Sequence, residues 1–436
     1  MGLVRQSATT FASRLLIGVI NIPASILVAR TLGVDGQGVY STAIAYPTFW
    51  ATIWILGIDA AHTWALASRR TSLGRVLGNT ILWIVLLSLL AVPSYLWGIR
   101  LLGPRKVLFL LPVLGITAVI VPLVLARFLL LSAFLGLKQV DRYNMLNVIS
   151  QLLLLAGLIG VLIVGKGGTR GAVAAYAASL LLLVILAAIW IERHRPRDDT
   201  IRADRTLAGT SLSYGMRGYG ATIFGQLNYR FDQILVPLLA GIRQQGHYSI
   251  AVMFAEKLSH ITNSIQLVLF PHVSAASPTE ANRMTTTACR HGLFWVGLAA
   301  LGLLLISRPL VHLFYGSDFL PVLAPLAYLI PGIFLLTFWK IVTVDLSGRN
   351  RRFPSTLASG IAFGVNTGLN FWWIPKYGML GAAWSSTISY AIQSLVVVLF
   401  FLRITGVPVR KLVVPERGDI EIYRRLLRQL RRRVPA

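Results

Sequence analysis

The chain has 436 residues, of which 56% are hydrophobic and only 13% charged, against roughly 45–50% and about 25% in soluble domains. With a mean hydropathy of +0.70 and a single cysteine, Cys289, this excludes a soluble enzyme, a disordered chain and a disulfide scaffold. The 41 basic and 15 acidic residues leave a net charge of +26, but the bases sit in short segments between long apolar runs. A membrane protein is expected, with no nucleic-acid partner.

A helix needs about 20 mostly apolar residues to cross a bilayer. Twelve spans are predicted in chain order, over 10–30, 39–66, 76–98, 108–135, 143–164, 171–191, 208–240, 246–273, 291–307, 320–345, 354–374 and 379–402. The runs are too long and continuous for the alternating strands of a membrane barrel. The first run is long enough to span and lacks a small-residue cleavage pattern, so no signal peptide is expected. With the N-terminus inside, 26 basic residues fall on the cytoplasmic side, nine fall opposite and six lie within spans. The ten from Arg403 onward dominate, yet without them the count is still 16 to nine. Both termini are expected in the cytoplasm.

The chain also repeats itself. Residues 26–45 read ILVARTLGVDGQGVYSTAIA and residues 234–253 read ILVPLLAGIRQQGHYSIAVM, with nine of twenty positions identical at an offset of 208. The shared residues include Gly33/Gly241, Gln37/Gln245, Gly38/Gly246 and Tyr40/Tyr248. KGGTRGA at 166–172 matches KYGMLGA at 376–382, and Gly136 and Gly348 each open a short basic loop. The expected architecture is all-α and polytopic, twelve transmembrane helices in two parallel six-helix repeats. An N-terminal lobe (1–191), a cytoplasmic linker (192–207), a C-terminal lobe (208–402) and a basic amphipathic tail (403–436) follow from it.

Ala-Arg-x-Leu-Gly-x-x-x-x-Gly-x-Tyr, here Ala29 to Tyr40, resembles the start of the bacterial oligosaccharide flippases, the polysaccharide-export branch of the multidrug, oligosaccharidyl-lipid and polysaccharide exporter superfamily. Residues 227–251, and the following helix to Pro271, resemble the opening of that family's second half. The resemblance implies a flippase of the bacterial cytoplasmic membrane. It would move polyprenyl-diphosphate-linked oligosaccharide by alternating access for surface polysaccharide or cell-envelope glycan synthesis, alongside a polysaccharide polymerase and glycosyltransferases. A multidrug-type exporter of the same superfamily is the alternative, although cationic drugs would want acids to dominate the path. A lipid II flippase is another. Ser13-Arg14-Leu15-Leu16 is similar to its first helix, but its second arginine, six residues on, is replaced here by Ile20, and its two extra C-terminal helices are missing.

Charges inside the membrane cost roughly 2.5–3.5 kcal/mol on insertion scales and so mark partners, water or substrate. Arg14, Asn21, Arg127, Arg217, Arg230, Lys257 and Lys340 are the candidate substrate contacts, and Asp59, His62, Asp232 and Glu256 the candidates for ion coupling or pairing. Arginine outnumbers lysine 34 to 7, which suits bidentate phosphate binding and fits a GC-rich genome equally well. Helical spacing gathers polar stripes on four spans: Arg14, Gly18, Asn21 and Ser25; Thr48, Thr52, Asp59 and His62; Glu256, His260 and Asn263; Ser359, Asn366 and Asn370. A wet interior is expected where they meet.

No Walker loop, His-Glu-x-x-His, Cys-x-x-Cys or Gly-x-Ser-x-Gly motif occurs, so no enzymatic activity, cofactor or metal is expected. An ion gradient, the membrane potential or the substrate gradient would have to drive transport. EIYRRLLRQLRRRV at 421–434 is expected to lie as an amphipathic helix on the anionic cytoplasmic leaflet.

Overall fold

A computed structural model describes residues 2–103, 107–416, 418 and 419. Among them every regular element is helical. The chain runs through α1 (Gly2–Trp54), α2 (Ile58–Ala67), α3 (Leu73–Leu101), a 3-10 turn (Leu108–Val113) leading into α4 (Leu114–Gly136), and α5 (Val140–Ile159), which ends in a π turn. It continues through α6 (Gly168–His194), α7 (Arg205–Leu239), α8 (Ile242–Ala275) and α9 (Pro278–Phe314). A second 3-10 turn (Ser317–Val322) opens α10 (Leu323–Gly348), followed by α11 (Phe353–Tyr377), α12 (Met379–Thr405) and the short α13 (Arg410–Val413). The tail helix expected at 421–434 lies outside the described residues.

Among the described residues eight helical stretches are long and apolar enough to cross a membrane, and the first, Thr9–Trp54, holds all of one predicted span and most of the next. The predicted spans in α7, α8 and α11 fall below that hydropathy. Their polar residues line a cavity or a buried polar network, which is why they read poorly as lipid-facing helices.

Two predicted boundaries need correction. The second span is in two pieces, because Leu56 and Gly57 adopt left-handed backbone (φ 51° and 72°) between α1 and α2. The ninth is far longer than 291–307. Its helix starts at a capping box, Ser277 with Glu280, and runs 37 residues. Arg290, expected in a cytoplasmic loop, is therefore a buried helical residue, bonded to Asp419 at 2.6 Å and to the Lys411 carbonyl at 2.7 Å.

The repeat recurs in the backbone. Gly33 and Gly241 both take positive φ (68° and 91°), turning the chain between helical segments, and Gly168 and Gly378 do the same (57° and 58°). Lys138 and Asn350 end the loops opened by Gly136 and Gly348 in the same left-handed conformation (59° and 60°). The buried apolar residues fall into clusters that respect the repeat. Three clusters are drawn from residues before 192, and two from beyond 234, one of which also takes in Ala29 and Val34.

The halves meet most closely at the repeated motif. A Cβ added to Gly38 would lie 2.1 Å from the Ile242 carbonyl oxygen, and one on Gly246 would lie 2.1 Å from that of Val34. These are the same contact seen from each repeat. Gln37 donates to Ser249 at 3.4 Å and Gln245 to Ser41 at 3.4 Å, again symmetrically. The segment between halves is fastened to the start of α3. Asn79 donates to the Asp204 carbonyl at 3.0 Å and accepts from the Asp204 N–H at 2.8 Å, and Asp199 accepts from the Gly74 N–H at 2.6 Å. The Leu207 N–H, with Arg75 and Arg202 nearby, holds the Asp204 carboxyl below the usual carboxylate range.

Candidate functional site

A cavity of about 720 Å³ lies between the halves. From α1 it takes Asn21, Ser25 and, beyond the Gly33 break, Gln37, Thr48 and Thr52; from α7 it takes Gln226, Arg230 and Gln233. From α8 come Glu256, Lys257, His260 and Asn263, and from α10 Lys340. The α8 stripe expected from spacing lies wholly on this wall. The α1 stripe faces it too: Gly18 leaves room for the Lys257 ammonium, which would be 3.9 Å from a Cβ there. Arg14 stands one turn further on, in a small adjoining cleft with His260 and Asn263.

The charges in the cavity are three cations and one anion. Arg230 pairs with Glu256 at 3.2 Å. Lys340 is buried and donates to Asn263 at 2.9 Å, with the Tyr229 ring 5.9 Å from its ammonium. A single carboxylate cannot neutralise three neighbouring cations, so the empty volume carries a positive potential that favours an anion. Neutral donors such as Asn21, Gln37, Gln226 and Gln233 complete a lining able to hydrogen-bond a polar headgroup. Among the described residues no cluster of His, Cys, Asp or Glu could hold a metal ion.

The other candidates sit elsewhere. Arg127 lines a separate cleft of about 500 Å³ with Asp59 and donates to Asn147 at 2.9 Å. Arg217 is exposed on α7 outside the cavity. Among the described residues Asp59 and His62, both candidates for coupling or pairing, form no hydrogen bond or ion pair with each other. The break at Leu56–Gly57 turns α2 so that Asp59 faces the cleft, while His62 is buried with its ring 3.3 Å from the Thr80 hydroxyl. The stripe from Thr48 to His62 therefore stops at Thr52. Asp232 is buried and has no ion-pair partner among the described residues; it accepts from the Tyr248 hydroxyl, from Ser386 at 3.0 Å and from the Gln233 N–H at 2.7 Å.

The α11 stripe also departs from expectation. Ser359, Asn366 and Asn370 are buried against α12 rather than wet. Gln393 donates to Ser359 at 2.9 Å, Asn366 to Ser389 at 3.2 Å and Asn370 to Asn366 at 2.6 Å. The sequence held the sign of this arrangement: Ser385, Ser386, Ser389 and Gln393 repeat at helical spacing on α12 and form a matching stripe. Among the cavity residues outside the expected set, Gln37 carried the clearest signal through its partner Gln245.

Helices of this order around a charged central cavity are the architecture of a membrane transporter. The structure superposes on the lipid II flippase MurJ in an inward closed conformation with a TM-score of 0.77 at 18% identity, covering 94% of this chain and 89% of that one. It matches an inward-facing multidrug resistance MATE family transporter of the MOP superfamily at 0.75 and 13% identity, over 92% and 98% of the two chains. Against an outward-facing transporter of the same description the score is 0.59 at 15% identity, over 93% and 95%. No curated protein matches the sequence. The model of the polysaccharide biosynthesis protein family matches residues 3–277, and the chain belongs to that family.

Proposed function

We propose that the protein is a flippase that moves polyprenyl-diphosphate-linked oligosaccharide across the bacterial cytoplasmic membrane, with both termini in the cytoplasm and two six-helix lobes rocking about the cavity. The observation that carries this reading is the excess of Arg230, Lys257 and Lys340 over Glu256 in a cavity between repeats. A diphosphate entering a partly dehydrated cavity loses strong hydration, and charge-assisted hydrogen bonds replace it. Arg230 is the switchable member. An anionic ligand competes with Glu256 for it, so binding and coupling share one ion pair. Moderate spacing of the cations lets the ligand leave on the far side, while the polyprenyl chain stays in lipid. Membership of the polysaccharide biosynthesis family supports the substrate class, and a cationic rather than acidic cavity disfavours cationic drugs. The orientation rests on the basic residues of the inward segments, and the envelope polymerase and glycosyltransferases are the proposed neighbours of the activity.

The test is complementation of glycan export in a strain lacking its own flippase, with membrane levels checked alongside. Lys257→Gln with Lys340→Gln is expected to reduce export at least tenfold, and Arg230→Lys to retain part of it. Unchanged export by the double variant would sink this reading of the cavity.

A further inference from the structure

The cleft around Arg127 is unexplained by a site for the diphosphate. It holds about 500 Å³, and with the main cavity at about 720 Å³ both fall in the size range of small-molecule sites. Phe128 lines both spaces, so one phenyl ring stands between them. By the proposed topology the cleft lies towards the cytoplasmic ends of α2 and α4, where a headgroup made in the cytoplasm arrives.

Its chemistry differs from that of the main cavity. Asp59 and Arg127 share the cleft yet form no ion pair, and Asp59 has no side-chain partner among the described residues. A carboxylate and a guanidinium left apart within a membrane helix bundle are costly unless something polar comes between them. Aromatic surface lies beside them. Tyr143 and Tyr214 line the cleft, and Tyr214 stacks on Trp64 with ring centres 4.7 Å apart and planes 16° from parallel. Arg70 lies 4.5 Å from the centre of the Trp64 ring, which holds the stack from the cytoplasmic loop. Tyr214 is 41% exposed and so keeps surface free for a ligand.

An anion alone would not use a carboxylate, and a cation would not use a guanidinium. A ligand with many hydroxyls uses both, since each hydroxyl donates and accepts, and the apolar faces of pyranose rings lie well on aromatic platforms. From this juxtaposition of Asp59, Arg127, Tyr143 and the Trp64–Tyr214 stack, we infer that the cleft is a saccharide subsite. It holds sugar units of the lipid-linked substrate next to the diphosphate cavity, across Phe128. The inference rests on the lipid-diphosphate reading of the cavity and adds the residues that discriminate between glycans.

Full-length protein in lipid nanodiscs would be titrated with three probes: farnesyl diphosphate, and the same lipid diphosphate carrying a hexose disaccharide or an N-acetylhexosamine disaccharide. At least one glycosylated probe is expected to bind tenfold or more tighter than the bare one. Arg127→Gln is expected to bring that ratio to near one, a loss of roughly ten- to hundredfold that matches one hydrogen bond to a charged group, and Tyr214→Leu, which removes a stacking platform, is separately expected to lower it severalfold. No preference for either sugar, a ratio that survives both substitutions, or equal weakening of all probes would overturn the subsite. Lys257→Gln with Lys340→Gln reports separately. If that variant leaves farnesyl diphosphate binding unchanged, the cavity reading fails, whatever the sugar ratio does.

Discussion

Replacing Gly38 or Gly246 with alanine tests whether the close contact at the repeated motif is a gate that shuts the cavity at that end. The new methyl of Gly38→Ala would sit 2.1 Å from the Ile242 carbonyl oxygen and 3.1 Å from the Gly246 nitrogen, where ordinary contact begins at 3.4 Å. Both neighbours are backbone atoms at the start of α8, so no rotamer change relieves the clash, and the segments must part by about 1 Å or more. Overpacking of this kind costs typically 1–3 kcal/mol. That corresponds to roughly a 5- to 150-fold shift towards any conformation in which the halves are apart at this end. Gly246→Ala meets the Val34 carbonyl in the same way. Because the two methyls press on one interface, the second costs less once the first has opened it, and the double variant falls short of the sum. Cys289 is the only cysteine, so Cys289→Ala gives a background in which Ala45→Cys reports from the cavity wall. A membrane-impermeant maleimide added outside intact cells is expected to label Ala45→Cys at least fivefold faster in either glycine variant. An unchanged labelling rate in properly folded protein would refute the gate, and strict additivity would refute the shared contact.

Other outcomes follow from single groups. Asp232→Leu deprives Tyr248, Ser386 and the Gln233 N–H of one acceptor. It is expected to cost about 3 kcal/mol or more, seen as a lowered Tm when a thiol dye follows exposure of the buried Cys289; Asp232→Asn is expected to lose less. Asn79→Ala removes the two hydrogen bonds from Asn79 to the Asp204 backbone and leaves the Arg75–Asp204 pair at 3.3 Å, so cleavage by trypsin between Arg195 and Arg202 is expected to speed up severalfold, with no change in expression. Asp204 gives the pH arm. Its folded carboxyl titrates below the unfolded value, so its contribution is present above the unfolded pKa of about 3.9 and is lost as pH falls through the lower folded value. An acid-tolerant protease such as pepsin is expected to reach the linker more readily only below about pH 4, and Asp204→Asn is expected to flatten that dependence.

Much of the architecture was legible because a bilayer imposes length and a duplication imposes an offset. The turns at Gly33/Gly241 and Gly168/Gly378 were visible as repeated glycines, and their positive φ gives the reason. The break at Leu56–Gly57 was not, since it has no proline and its glycine sits in an apolar run that reads as continuous helix. That break removes Asp59 and His62 from the cavity wall. Ser359, Asn366 and Asn370 show the other limit. A polar stripe looks the same in sequence whether it meets water or a second stripe, and here α12 supplies the second. Arg217 and Arg127 differ in placement because neither depth nor facing direction is encoded in the residue itself.

The attachment of α7 has a mechanical consequence. Its first turns travel with the N-terminal half, held by Asn79 to Asp204, by the close approach of Gly215 to Gly57, and by the Tyr219 hydroxyl on the Thr52 and Ile53 carbonyls at 2.6 Å. Its last turns are tied to both halves: to the C-terminal half through Asn228 on Gln393 at 3.2 Å and Asp232 on Ser386, and to the N-terminal half through the Tyr46 hydroxyl, which donates to the Ile234 carbonyl at 2.7 Å. One helix of 35 residues, about 50 Å long, thus bridges the two halves that the proposed rocking would turn against each other. Between Tyr219 and Asn228, Gly220 and Gly225 have no neighbouring atom within 4 Å of where a side chain would begin, and Phe224 packs against Phe363 of α11 with ring centres 6.2 Å apart. Under the proposed rocking this helix would twist as a rod, and its stiffness would set how far one half could swing before the other had to follow.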